Sequence, residues 1–262
     1  MNRYFQLALV QFRVSAAAAM AYRANFLIEG VMTGMWMALA LLPLGVLFSG
    51  RDEVAGWDLP SALIVMAYFM AVRAVLEGVI SPSLVDLVER IRSGAFDYVL
   101  LKPVDAQFMV SASSYEPWKA FDLLGAIGLA IYAFVQRGHG PSAVDLALGI
   151  ALFVAGVLAM YSLWILCAAL SFWVVRLDNL VYLMSAIFDT GRWPVQVFRG
   201  LWRTVFTFVI PVAVMTTFPA MALLGRLQVR AAIGTALGAL AMLAISRIVW
   251  RAAIRNYTSA SS

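Results

Sequence analysis

The chain has 262 residues, 63% of them hydrophobic and 13% charged, with a mean hydropathy of +0.89; a soluble domain runs nearer half apolar and a quarter charged. Long uninterrupted apolar runs replace the short alternating segments of a membrane barrel, so the composition predicts an all-α, polytopic helical membrane protein. The net charge of +5 is almost all arginine. No basic cluster is interleaved with aromatics, so it reads as positive flanks at cytoplasmic span ends and not as a nucleic-acid surface.

Residues 1–28 carry Arg3, Arg13 and Arg23 among Tyr4, Phe5, Leu7 and Phe12. This pattern predicts an amphipathic helix on the cytoplasmic membrane face, its arginine stems snorkelling to the headgroups. The same spread of arginines is unlike a cleaved signal peptide. Gly30–Gly50 holds no charge over 21 residues, enough to cross a core of about 30 Å at about 1.5 Å per residue. Pro43 is expected to kink this first span. Arg51, Asp52, Glu53 and Asp58 form a short acidic loop expected outside, and 59–80 is the second span.

Ser81–Asp105 follows as the longest polar island in the chain. Ser81-Pro82-Ser83 interrupts the apolar run, and Pro82 suits the first turn of a new helix. Leu84, Leu87, Val88 and Ile91 then recur at spacings of three and four, with Asp86, Glu89, Arg90 and Arg92 on other faces. That is a short amphipathic helix stopped at Ser93-Gly94. A structured cytoplasmic element between two spans suggests a surface that docks on a partner.

The third span must begin near Trp118, taking Lys119 and Asp122 into its cytoplasmic end, and Leu146–Val175 supplies a fourth, tilted span. Residues 180–225 admit two topologies. In one, 180–200 lie on the cytoplasmic side and 201–223 form the fifth span; in the other, 180–190 belong to a span and 195–223 re-enter as a hairpin from outside. The positive-inside rule favours the first, because it keeps Arg192, Arg199 and Arg203 inside. Residues 231–250 form the last span, anchored by Arg247, Arg251 and Arg255. The expected fold is therefore six transmembrane helices in a single domain, both termini cytoplasmic, with a short amphipathic cytoplasmic helix between the second and third spans.

Arg73 and Glu77 stand four residues apart inside the second span, on one face. An ionisable side chain in lipid costs about 2.5–3.5 kcal/mol on insertion scales, so such residues pair or face a cavity. A structural ion pair is favoured over a proton or substrate path. Asp189 and Arg192 invite the same comparison. Gly30–Gly34 and Gly234–Gly238 have the spacing of close helix packing. No catalytic constellation is apparent: His139 is the only histidine and Cys167 the only cysteine, which leaves metal catalysis without support. Neither Lys102 nor Lys119 follows a glycine, so the chain cannot supply a phosphate-binding loop, and ATP-driven work would require a separate polypeptide.

Arg92-Ser93-Gly94-Ala95-Phe96-Asp97-Tyr98-Val99-Leu100-Leu101-Lys102-Pro103 resembles a segment of ATP-binding-cassette permeases of the type-2 exporter class, in the subfamily labelled an uncharacterised transport-system permease. Gly191-Arg192-Trp193-Pro194, Phe198, Thr207–Pro211, Phe218-Pro219-Ala220 and Leu223-Leu224-Gly225 resemble a second pattern of that subfamily, with Trp193 where tyrosine is usual. The resemblance spans essentially the whole chain.

It implies a bacterial inner-membrane exporter subunit without catalysis of its own, paired with an identical or sister permease and with ATPase subunits that hold ATP and magnesium. It implies that residues 83–92 fit a groove on the ATPase, with Leu84, Leu87, Val88, Glu89, Arg90, Ile91 and Arg92 at the contact. Gly94, Asp97, Lys102 and Pro103 then lie in the segment that holds this helix to the membrane face. Pro211, Phe218 and Pro219, in a proline-broken fifth span, are candidates for an external gate. The alternatives are an ion-gradient-driven transporter or channel using Arg73 and Glu77, and a membrane scaffold.

Overall fold

The structure, a computed structural model, describes residues 3–21, 23–172, 186, 188–209 and 211–257. Among these, five helices are long and apolar enough to cross a membrane: Leu27–Phe48, Leu59–Ile91, Pro117–Arg137, Ala143–Leu170 and Val229–Arg255. A shorter apolar helical stretch covers Ala213–Leu223.

Helix α1 (Arg3–Ala21) precedes α2 (Arg23–Phe48), which contains Pro43. The acidic loop holds a small antiparallel hairpin, β1 (Glu53–Val54) and β2 (Trp57–Asp58). Ala55 and Gly56 both have positive φ, 52° and 84°, as a two-residue hairpin turn of the favoured hand requires. Trp57 is buried beneath it.

Helix α3 (Leu59–Val75) is the centre of the molecule: 67% of its most apolar window is buried, against 6% for α2. Its faces are apolar almost all round, as a helix surrounded by others should be. Near its start, Ser61 accepts a hydrogen bond of 2.9 Å from Arg137 at the far end of α7 (Ala120–Arg137), so α3 and α7 run antiparallel.

The expected break at Ser81-Pro82 is absent. The chain passes from α3 through a π turn (Leu76–Ile80) straight into α4 (Ser81–Arg92), and Leu59–Ile91 counts as one helical stretch of 33 residues. At about 1.5 Å per residue such a stretch is far longer than a hydrocarbon core, so α4 projects beyond it. Pro82 has no N–H to give to the Gly78 carbonyl four residues back; Glu116 N–H donates to that carbonyl instead, at 2.8 Å. A distant donor makes good the local defect.

Helix α5 (Asp97–Leu100), α6 (Ala106–Ser111) and a 3-10 turn at Pro117–Lys119 lead into α7, so the third span begins where Trp118 predicted. Gly138, with φ 76°, ends α7. Ser142 caps α8 (Ala143–Leu170) by accepting from Asp145 N–H at 3.1 Å. Two ends of the bundle are thus defined. The hairpin end holds residues 49–58 and 137–143; the coupling end holds 81–116 and the finish of α8.

Residues 201–223 do not form one continuous span. Helix α9 (Leu201–Thr204) runs into a π turn at Val205–Val209, and beyond Pro211 a second π turn (Ala213–Thr217) continues into α10 (Phe218–Leu223). Met215 packs on Gly156 midway along α8, Leu223 on Gly149, and Gly225 against the Asp145 carboxylate. Residues 211–225 therefore climb only from mid-bundle to the hairpin end. Residues 191–196 climb beside them: Gly191 lies against Met215, Val195 N–H donates to Thr217 Oγ1 at 3.1 Å, and Gln196 reaches Met221. The chain between these two parallel climbs must turn back into the bundle. This corrects the favoured reading of 201–223 as a single fifth span and matches the re-entrant one.

Helix α11 (Val229–Arg255) returns along α8 to the coupling end. Of the small-residue pairs, Gly30 meets Phe121, whereas Gly34, Gly234 and Gly238 have no neighbouring atom within 4 Å of a notional Cβ; the latter two do not mediate close packing among the described residues. The expectation for residues 180–185 lies outside the described residues.

Candidate functional site

Helix α4 has the predicted apolar stripe, but the stripe is already occupied. Leu84 and Leu87 are buried, Ile91 nearly so, and Val88 is half-buried. They pack inward on the molecule's own core. As partner contacts, Leu84, Leu87 and Ile91 are unavailable without unpacking that core. Buried Ser83 fixes the register: its hydroxyl donates to the Ser114 carbonyl at 2.9 Å and accepts from Ser114 N–H at 3.0 Å. The outward face carries exposed Glu89 and an Arg90–Asp86 ion pair of 2.5 Å. Arg92 closes the helix, its side chain outside the described residues.

Gly94, with φ 76°, then reverses the chain, and Phe96 N–H donates to the Arg90 carbonyl at 3.0 Å. The reversal drives Phe96 into the interior. Its ring meets Phe172, Trp250 and Tyr257 edge-on at centroid distances of 5.4, 6.4 and 5.3 Å. With Phe96 inward, α5 turns its other side out: Tyr98 is 73% and Leu101 79% exposed, beside exposed Lys102 and Pro103. Asp97, in the first turn of α5, is half-buried.

A second clamp follows at once. Asp105 caps α6 by accepting from Phe108 N–H at 3.1 Å, and its carboxylate also receives both terminal nitrogens of Arg247 on α11. Arg247 donates as well to Gln107 Oε1 at 2.7 Å. Gln107 and Ser111 in turn hold the Tyr161 hydroxyl of α8, at 3.1 and 2.8 Å. The Arg247 hydrogen bond holds the Asp105 carboxyl below the usual carboxylate range, against the opposing effect of partial burial. Helix α1 lies over this segment through Tyr4–Phe108 and Phe12–Tyr115 ring contacts and a Tyr115 N–H bond to Ser15. Arg247 is thus a tie between elements and not only a membrane anchor. Residues 81–116 are fastened to α3, α8 and α11 together.

The intramembrane pair is larger than Arg73 and Glu77. Arg73 Nε donates to Glu77 Oε1 at 2.6 Å, and Lys119 Nζ lies 2.6 Å from the other carboxylate oxygen and 3.4 Å from Asp122. Glu77 sits in the π turn Leu76–Ile80. Across from this network, Arg192 is held by the Asp189 carbonyl and carboxylate, both at 3.1 Å, with its guanidinium 5.6 Å from the Phe69 ring centroid. All these side chains, with Glu29 of α2, line one cavity of about 460 Å³. The pairing favoured from the spacing alone is therefore present, with Lys119 as a partner that the i,i+4 pattern could not reveal. Trp193 is half-buried and Pro194 buried, on the climb away from the cavity.

The candidate gate residues separate. Pro211 and Phe218 line a second cavity of about 440 Å³, between the broken 201–223 element, α8 and α11, while Pro219 is buried in the first turn of α10. Gly234 and Gly238 border the same space, which explains why nothing packs on them. Among the described residues no group of histidine, cysteine, aspartate or glutamate could hold a metal ion.

A family model described as ABC-2 family transporter protein matches residues 35–261. No curated protein and no solved structure matches the chain. The matched region begins within α2 and takes in the other four membrane-capable helices of the described residues, the clamped 81–116 segment and the re-entrant element. With most of its length covered, this multi-pass helical chain belongs to the ABC-2 transporter family, as a membrane subunit and not a catalytic one.

Proposed function

We propose that the chain is the permease half of an ATP-driven exporter with six spans and cytoplasmic termini in the bacterial inner membrane. It pairs with a second permease and takes an ATPase, carrying ATP and magnesium, at its coupling end. The observation that carries this reading is the construction of residues 81–116. The apolar face of α4 is spent internally, yet α5 presents exposed Tyr98 and Leu101 beside Lys102, on a segment tied to three spanning helices. A surface that is both open to a partner and fastened to the spans can pass a displacement on to them. What supports a sixth span is that Phe172 lies against Trp250 at the coupling end while Gly225 lies against Asp145 at the hairpin end. The cavity beside Pro211 and Phe218 supplies room for a gate.

The test is a pull-down from gently solubilised membranes. Wild type should bring down an ATPase, and Glu89→Arg/Arg90→Glu or Leu101→Asp should weaken its capture without changing the elution profile of the permease. No ATPase with any folded sample would sink the reading. An ion-gradient-driven transporter would instead show ATP-independent flux abolished by Glu77→Gln; two cations already hold Glu77, which disfavours it as a proton carrier.

A further inference from the structure

The charged cavity has an imbalance that the transport reading does not use. Its lining includes four carboxylates, Glu29, Glu77, Asp122 and Asp189, and three cations, Arg73, Lys119 and Arg192. Each cation is within 4 Å of a carboxylate: Arg73 and Lys119 on Glu77, Lys119 also on Asp122, and Arg192 on Asp189. Glu29 has no ion-pair partner among the described residues, and it is exposed to the cavity side of α2. Among the described residues that line the cavity, the unpaired charge is therefore one carboxylate. Neighbouring Glu116 feels the same field: burial pushes its carboxyl up, Lys119 draws it back, and Glu77 and Glu29 add to the rise.

The rest of the wall is apolar. Thr33, Trp36, Met37 and Ala40 follow Glu29 along one face of α2, and Phe69 and Met70 of α3 stand opposite. The size is within the range of pockets that enclose small organic ligands, about 300–1,000 Å³. An anion would meet Glu29 and find every cation engaged. A neutral solute would leave the lone carboxylate uncompensated in a partly apolar site. A cation with a hydrophobic body satisfies both features, and α2, buried to only 6%, leaves the cavity open on that side of the chain.

We propose that this cavity binds a lipophilic monocation, its charge against Glu29 and its apolar surface along Trp36, Met37 and Met70. If the transport reading holds, this names a substrate class for it, but the binding itself requires neither ATP nor an ATPase. The probes are tetraphenylphosphonium and tetraphenylborate, alike in shape and opposite in charge. Equilibrium dialysis of each is carried out against the full chain in nanodiscs, with empty nanodiscs as the baseline. The phosphonium should bind saturably and the borate should only partition. Glu29→Gln should weaken the phosphonium by about twofold to fivefold, the scale of one exposed charge contact, and Glu29→Asp should keep most of the affinity. Because Glu29 is exposed, neither variant should alter the elution profile. Equal binding of the two probes, unsaturable uptake of the phosphonium, or an unchanged affinity in Glu29→Gln overturns the proposal. Those results would leave ATPase capture untouched, and a failed capture would leave this binding untouched.

Discussion

Phe96→Ala is the sharpest test of the clamp that holds the coupling segment. Phe96 is fully buried, and its ring makes edge-on contacts with Phe172, Trp250 and Tyr257. Truncation of a buried phenylalanine to alanine costs about 3–5 kcal/mol, and each edge-on pair contributes about 0.5–1.5 kcal/mol beyond area burial. Phe172 keeps its own contacts with Trp250 and Tyr257, at 5.6 and 5.7 Å, so the loss should fall on residues 94–104 and not on the α8–α11 packing. At about 1.4 kcal/mol per factor of ten, protection of those amides against hydrogen exchange should drop by about two orders of magnitude or more. Phe96→Leu, which retains much of the buried volume, should lose far less. Exchange is read by mass spectrometry on the purified chain. If protection of 94–104 is unchanged in Phe96→Ala, or if α8 and α11 loosen equally, the ring is not a local clamp and the transmission argument fails.

Three further outcomes follow from the same contacts. The Asp105 carboxyl is held low by Arg247, so its folded pKa lies below the unfolded value near 3.9. Its stabilising contribution is thus complete above about pH 4–5 and is lost as the pH falls through the depressed folded value; Asp105→Asn should flatten the acid limb of a melting-temperature profile. Glu77 is shared by Arg73 and Lys119, so Glu77→Gln strands Arg73 and leaves Lys119 only Asp122 at 3.4 Å, whereas Arg73→Gln strands no charge. The first should therefore melt lower than the second, each stranded charge carrying a cost of order 2.5–3.5 kcal/mol; equal melting temperatures would deny the shared pairing. A Cβ at Gly156 would meet the Met215 Cα at 2.8 Å and the Val214 carbonyl at 3.1 Å, whereas one at Gly191 would meet the flexible Met215 methyl. Gly156→Ala should cost about 1–3 kcal/mol as overpacking, more than Gly191→Ala, by thermal melting of the two variants.

The features legible in the sequence are those that short-range patterns encode. Long apolar runs located α2, α3, α7, α8 and α11, and the three-and-four spacing of Leu84, Leu87, Val88 and Ile91 located α4. What failed was inference from a local defect or an unpaired charge to a global path. Pro82 predicted a break because the Gly78 carbonyl loses its donor, but the replacement, Glu116 N–H, lies far along the chain. The positive-inside rule treated Arg192 as a free cation; it is ion-paired to Asp189 and rests over Phe69, so it exerts little pull on topology. Lys119 was visible as a charge near a span end, yet its pairing with Glu77 joins residues of different elements that no local spacing relates. Asp105–Arg247 and the ring cluster around Phe96 had no signal at all, since each joins residues that neither period nor spacing relates.

The distribution of ties also restricts how such a subunit can move. The Phe96 and Asp105 clamps tie the coupling end to α8 and α11, and α3 joins it by continuing without interruption into α4. A push delivered there is therefore expected to shift these three together. By contrast α2 is largely unburied, and its contact with the charged cavity ends in Glu29, which has no ion-pair partner among the described residues. The re-entrant element is held to α8 chiefly through its second limb, by Met215 on Gly156 and Leu223 on Gly149, while Leu201, Trp202 and Arg203 of its first limb are exposed. Relative motion between a clamped trio and two loosely held neighbours would alter both cavities at once, the charged one against α2 and the apolar one beside Pro211. Access at the two faces of the membrane can then be linked without any single helix having to bend.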